Sequence, residues 1–191
     1  NQSELVSYFN DLANRLPLPL FLYNMPEHTK VYFEPDTVKE IAKNDRIIGL
    51  KDSSGNSVYF QTLVHAMKDN PDFSLFVGPD IITAETVLMG GHGGVNGGAN
   101  MFPRLYADMY EAAVTRDFNR LFPIQEKIRQ LWYTVYYVSN SSSCHLTGIK
   151  CALSLMGICN DFVASPFSKL NEKDKATVKK YLDALDYKSL L

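Results

Sequence analysis

Lys51 follows the apolar run Ile47-Ile48-Gly49-Leu50 directly and precedes Asp52-Ser53-Ser54-Gly55. A cationic side chain at the C-terminal end of a buried parallel strand stands where barrel enzymes place catalytic groups. An amine attacks a carbonyl only when it is unprotonated. At an ordinary pKa of about 10.4, roughly one lysine in a few thousand is free at neutral pH. An apolar barrel mouth would lower that pKa by desolvation and make the amine a Schiff-base nucleophile. The same side chain could equally snorkel from a strand end into water. Tyr23 ends the preceding apolar run in the same way, within Leu22-Tyr23-Asn24-Met25-Pro26. Neighbouring parallel strands lie about 4.8 Å apart, so a phenol on one tip can reach an amine on the next. Such a tyrosine can relay protons to and from a substrate hydroxyl; the alternative is an aromatic that only packs.

The segment Gly90-Gly91-His92-Gly93-Gly94-Val95-Asn96-Gly97-Gly98 holds six of the eleven glycines. This density permits close backbone approach by a ligand. No Lys-Ser/Thr ends it and no GxGxxG opens a helix there, so it is neither a P-loop nor a dinucleotide fingerprint. It fits a phosphate cradle, a small carboxylate site or tight strand packing. His92 stands alone between glycines. His28, His65 and His145 are scattered, and none pairs at metal-ligand spacing. Asp80 reads most simply as a helix cap. Cys144, Cys151 and Cys159 lack CxxC spacing; an odd count with no secretory pattern favours reduced thiols and a cytoplasmic location.

The elements that must position these residues alternate. The periodicity predicts helices over 3–15, 36–43, 57–67 (with Ser57 as cap) and from Asp80 to Met89. Buried strands are predicted over 20–23, 47–50 and 74–77, with a glycine-rich fourth over 94–98. Continuous apolar runs separated by helices mark parallel strands covered on both faces. Four βα units in a row mean a doubly wound sheet or part of a (β/α)8 barrel. The second half reads as helices over 104–115, 117–138, 148–156 and 171–185, with a polar break at 139–143.

The chain has 191 residues, 46% hydrophobic, with 19 Lys plus Arg against 21 Asp plus Glu. That supports a real core and excludes nucleic-acid binding driven by a basic surface. No apolar run reaches the roughly 18 residues of a membrane span.

Together these segments resemble the dihydrodipicolinate synthase / N-acetylneuraminate lyase family of pyruvate-dependent class I aldolases. Residues 22–26 are similar to its strand-five motif, and Gly49-Leu50-Lys51-Asp52-Ser53-Ser54-Gly55 to its strand-six Schiff-base motif. Phe76-Val77-Gly78-Pro79-Asp80 and the 90–100 stretch look like strands seven and eight, and Thr147-Gly148-Ile149-Lys150 fits the helical tail. The resemblance implies an α/β fold: the C-terminal half of a (β/α)8 TIM barrel, strands five to eight, over 1–115, then a C-terminal helical region over 116–191. It is a likeness to the C-terminal part of the family's chain. Eight βα units need roughly 200 residues or more before such a tail, so these residues are expected to be a piece of a longer chain.

The resemblance further implies that Lys51 forms an imine with pyruvate, Tyr23 shuttles protons, and the backbone at Gly78 and Val95 lines the substrate pocket. The implied reaction condenses pyruvate with an aldehyde or cleaves a 2-oxo acid, with no metal or organic cofactor. The family is usually homotetrameric, and Trp132, Tyr133, Tyr136 and Tyr137 offer apolar surface for an interface or for a core. Synthase members carry an arginine five positions after the strand-five tyrosine; here that position is His28, which cannot make the bidentate fork to a carboxylate. Competing readings are an N-acetylneuraminate or 2-keto-3-deoxy sugar acid lyase within the family, a sugar-phosphate barrel enzyme, and a non-catalytic 2-oxo-acid-binding homologue.

Overall fold

The computed structural model describes residues 1–190. The chain forms two compact units, Asn1–Val95 and Asn96–Leu191.

The first unit is built of βα repeats. Helix α1 (Gln2–Arg15) leads to β1 (Leu20–Asn24), the short α2 (Pro26–Thr29) and α3 (Pro35–Ile41). Strand β2 (Ile47–Asp52), α4 (Ser57–Ala66), β3 (Ser74–Val77), a 3-10 turn (Asp80–Ile82), α5 (Thr83–Leu88) and β4 (Gly93–Gly94) follow. The strands form one parallel sheet in the order β1-β2-β3-β4. Side chains alternate across it. Leu22, Leu50, Leu75 and Val77 are buried with Ala13, Val38, Ile41, Phe60 and Leu63 from the helices in one core. Each of the Leu, Ile, Val and Phe side chains among them contributes about 1.5–3 kcal/mol by leaving water. Arg46 joins the helix layer to the sheet: its Nε donates to the Ala13 carbonyl at 2.8 Å and its Nη2 to that of Leu16 at 2.5 Å. These carbonyls lie at the α1 terminus, where helical partners run out.

The other face carries Phe21, Tyr23, Gly49, Lys51 and Phe76, brought side by side by the register Phe21↔Gly49, Tyr23↔Lys51 and Lys51↔Phe76. The Phe21 and Phe76 rings meet across Gly49 with centroids 5.8 Å apart. A Cβ at Gly49 would strike the Phe21 ring and stand 2.5 Å from the Ser74 carbonyl oxygen. Gly49→Ala is therefore expected to lose about 1–3 kcal/mol, because the backbone oxygen cannot move aside; urea unfolding measures it.

Several boundaries differ from those the sequence suggests. Asn56, not Ser57, caps α4, its side chain accepting from the Tyr59 N–H. Both residue types cap well, so type alone does not choose between them. Asp80 opens the 3-10 turn instead of capping a helix. The fourth strand is two residues long and starts at Gly93, because glycines carry no side chains to mark an alternation.

In the second unit a 3-10 turn (Gly98–Asn100) precedes α6 (Pro103–Val114), α7 (Phe118–Thr134), α8 (Cys144–Leu155), α9 (Glu172–Ala184) and a 3-10 turn (Tyr187–Leu190). Helices α6 and α7 pack together, as do α8 and α9. Met109, Leu121, Ile128, Leu131, Val178 and Leu182 are buried. Of the aromatic cluster, Tyr136 is buried while Tyr133 and Tyr137 are exposed. Among the described residues no helix is long and apolar enough to cross a membrane.

Candidate active site

Parallel pairing sends the C-terminal ends of all four strands to one edge of the sheet, where the sequence places Tyr23, Lys51, Gly78 and Val95. The Lys51 Nζ lies 3.4 Å from the Tyr23 hydroxyl and 4.4 Å from the centre of its ring. Gly78 follows β3, its N–H donating to the Asp52 carbonyl at 2.7 Å. A Cβ there would collide with the Ser53 hydroxyl and stand 3.3 Å from Lys51 Cε. Glycine thus lets the Lys51 stem and Ser53 occupy the same corner. Val95 is one strand further on, its N–H donating to the Val77 carbonyl at 2.9 Å, and its side chain is 54% exposed. The structure thus gathers Lys51, Tyr23 and Gly78 closely and leaves Val95 at the margin.

Ser53 is the site residue that the sequence reading passed over. Its hydroxyl donates to the Tyr23 oxygen at 3.4 Å. The strand period of two was the available signal, since it puts residue 53 on the same face as Lys51. With the amine and Ser53 both donating to the phenol oxygen, the phenol hydrogen is left to point at a ligand.

The expected dry pocket is not what surrounds this couple. Tyr23 is 50% exposed and Lys51 is partly exposed. Both side chains stand on the sheet face opposite the helices α1, α3 and α4, whose apolar residues cover the other side.

Behind the couple lies a buried polar group. The Asp52 carboxylate accepts from Asn24 Nδ2 at 2.8 Å, from the Ser54 N–H at 3.1 Å and from the Ser54 hydroxyl at 2.9 Å. Burial pushes its pKa above the ordinary carboxylate value, against the lowering effect of those hydrogen bonds. Burial, with the Asp52 charge as a second cause, also raises the Tyr59 and Tyr32 phenols. A carboxyl that binds its proton more tightly folded than unfolded stabilises the fold most at low pH. That contribution is lost as pH rises from the unfolded value of about 3.9 through the higher folded value. The stability of the wild type relative to Asp52→Asn is therefore expected to fall across that window and level off above it. Urea unfolding of both proteins over a pH series checks this.

His92 serves the sheet. Its backbone N–H donates to the Leu75 carbonyl and its ring Nδ1 accepts from the Leu75 N–H at 3.0 Å, extending the β3–β4 pairing by a side chain. His28 lies exposed on α2. Among the described residues no three His, Cys, Asp or Glu side chains gather in a way that could hold a metal ion.

A strand-tip lysine beside a strand-tip tyrosine on a parallel sheet defines an α/β scaffold with amine chemistry available at its C-terminal edge. The chain belongs to the dihydrodipicolinate synthetase family, whose model matches residues 1–185. The match spans nearly the whole chain and is not confined to a C-terminal part of it. The chain is 29% identical to the 4-hydroxy-tetrahydrodipicolinate synthase of Methanospirillum hungatei, over 97% of its own length and 62% of the relative's. Dihydrodipicolinate synthase from Bacteroides thetaiotaomicron has a similar solved structure, with a TM-score of 0.93 and 54% identity over 96% of this chain and 62% of that one. YagE, a prophage protein of the dihydrodipicolinic acid synthase family from E. coli K12 solved in complex with pyruvate, gives a TM-score of 0.89 at 27% identity over 98% and 62%. The chain thus spans somewhat over three-fifths of the length of these relatives.

Proposed function

We propose that this chain carries the Schiff-base centre of a pyruvate-dependent class I aldolase, which condenses pyruvate with an aldehyde or cleaves a 2-oxo acid to pyruvate. The observation that carries this reading is the 3.4 Å approach of the Lys51 amine to the Tyr23 hydroxyl across adjacent strand tips. Lys51 attacks the ketone carbon of pyruvate, and loss of water gives the imine. Protonated, the imine accepts electrons from the methyl carbon, which gives up a proton and becomes the nucleophile toward the aldehyde. Tyr23 moves protons between the carbonyl oxygens and the amine, with Ser53 steadying the phenol oxygen. The backbone at Gly78 and Val95 borders the pyruvate.

In this reading the sheet is strands five to eight of a (β/α)8 barrel within 1–115, and 116–191 is the helical extension. Its parallel sequential order and the catalytic residues at the C-terminal edge support that assignment. A homotetramer in the cytoplasm, acting on small molecules without nucleic acid or membrane partners, completes the reading. Exposed Tyr133 and Tyr137 are the residues offered to an interface.

The test is reduction of the intact protein with borohydride in the presence of pyruvate. One reduced pyruvate on Lys51, located by peptide mass analysis, is expected; an unmodified Lys51 overturns the reading.

A further inference from the structure

The proposed chemistry uses the open face of the sheet and leaves the polar groups directly behind it without a role. Asn24 and Asp52 are the residues next after Tyr23 and Lys51, so their side chains point to the opposite face. They are register partners in the β1–β2 pair and both are 0% exposed. Asn24 Nδ2 donates to Asp52 Oδ1 at 2.8 Å. The Asn24 Oδ1 accepts from the Phe33 N–H at 3.3 Å, and the Phe33 carbonyl accepts from the Tyr59 hydroxyl at 2.7 Å. On its other side the carboxylate holds Ser54 by two hydrogen bonds, and the Ser54 hydroxyl accepts from the Asn56 N–H at 3.2 Å. One network therefore ties the tip of β1, the tip of β2, the turn that carries Ser53, and the loop before α3.

Core packing does not explain these residue types. Two apolar side chains would fill the same space without the cost of burying a carboxylate. What polar groups add is direction, because hydrogen bonds fix one strand tip against another where apolar contact lets it slide. The side chains of residues 23 and 24 spring from adjacent Cα atoms, as do those of 51 and 52. A shift behind the sheet is thus a shift in front of it.

We propose that the buried Asn24–Asp52 pair is the positioning unit of the Tyr23–Lys51 couple, acting by hydrogen-bond geometry to set the separation of phenol and amine and the aim of the Ser53 hydroxyl. The pair touches no reacting atom. Its kinetic consequence rests on the function proposed above. A displacement of about 1 Å at a reacting centre can cost on the order of a hundredfold in rate.

The experiment compares Asp52→Ala, Asp52→Asn and Asn24→Ala with wild type in the intact protein. It measures the rate of borohydride-trapped pyruvate addition to Lys51 per folded molecule, the folded fraction being taken from urea unfolding. Asp52→Ala and Asn24→Ala are expected to slow trapping on the order of a hundredfold. Asp52→Asn keeps an acceptor oxygen for Asn24 and an amide that can donate to the Ser54 hydroxyl, so it is expected to recover most of the rate. Wild-type trapping per folded molecule in the alanine variants overturns the proposal. So does an Asp52→Asn variant as slow as Asp52→Ala, since that would assign the effect to charge. Should Asp52→Ala fail to fold, Asn24→Ala, which leaves both Ser54 bonds in place, carries the comparison. Should the wild type itself trap no pyruvate, the proposed function fails, and the positioning claim is read from a crystal structure of Asn24→Ala. A Tyr23–Lys51 separation opened beyond hydrogen-bond reach then supports it, and an unchanged one overturns it.

Discussion

Lys51→Arg is expected to abolish pyruvate adduct formation and to lower turnover on the order of 10⁴-fold or more, the loss typical of removing a covalent nucleophile. Arginine keeps the positive charge and most of the stem, so it can still contact the Tyr23 phenol. It cannot lose its proton at any ordinary pH and cannot condense with a ketone. The substitution therefore separates covalent chemistry from simple attraction of an anionic substrate. If the lysine only held a carboxylate, arginine would replace it with little loss in kcat. Steady-state kinetics together with borohydride trapping read the two possibilities directly. The urea unfolding midpoint should hardly move, because Lys51 makes its hydrogen bond at a partly exposed site.

Tyr23→Phe carries the second large expected effect. The ring can still pack on the sheet face and still face the Lys51 amine, which lies 4.4 Å from its centre. What disappears is the oxygen toward which both Lys51 and Ser53 donate. A positioned proton carrier typically contributes about 10²–10⁴-fold, and kcat is expected to fall within that range. The imine should still form, more slowly, so trapping persists while turnover collapses. Equal loss of both would mean that the phenol organises the site without moving protons, and a wild-type kcat would remove Tyr23 from the chemistry altogether.

The central strands were legible in the sequence because their side chains carry the information. Leu75-Phe76-Val77 and the Ile47–Leu50 run are apolar, short and bounded by turn residues, and the structure places strands there. The approach of Tyr23 to Lys51 followed from a strand spacing alone. The glycine-rich strand was misjudged because pairing there depends on backbone and on the His92 ring, neither of which leaves a periodic trace. The single helical turn at Pro26–Thr29 is too short to show a period at all. Helix α8 starts at Cys144, four residues before the expected Gly148, because the serine run breaks the pattern only as far as its N-cap, Ser143. Asn24 and Asp52 were legible only as parts of a motif. A polar residue inside an apolar run says that it will be costly to bury, but its partner is named by the register, which is a three-dimensional fact.

The sequential order of the sheet has a kinetic side. Every strand finds its neighbour one βα unit away along the polymer, so each closure spans a short stretch and loses little chain entropy. Assembly can proceed by accretion, each unit templating the next, and Tyr23 and Lys51 come from consecutive units. Their encounter is thereby a local event, completed as soon as the second of those units docks on the first.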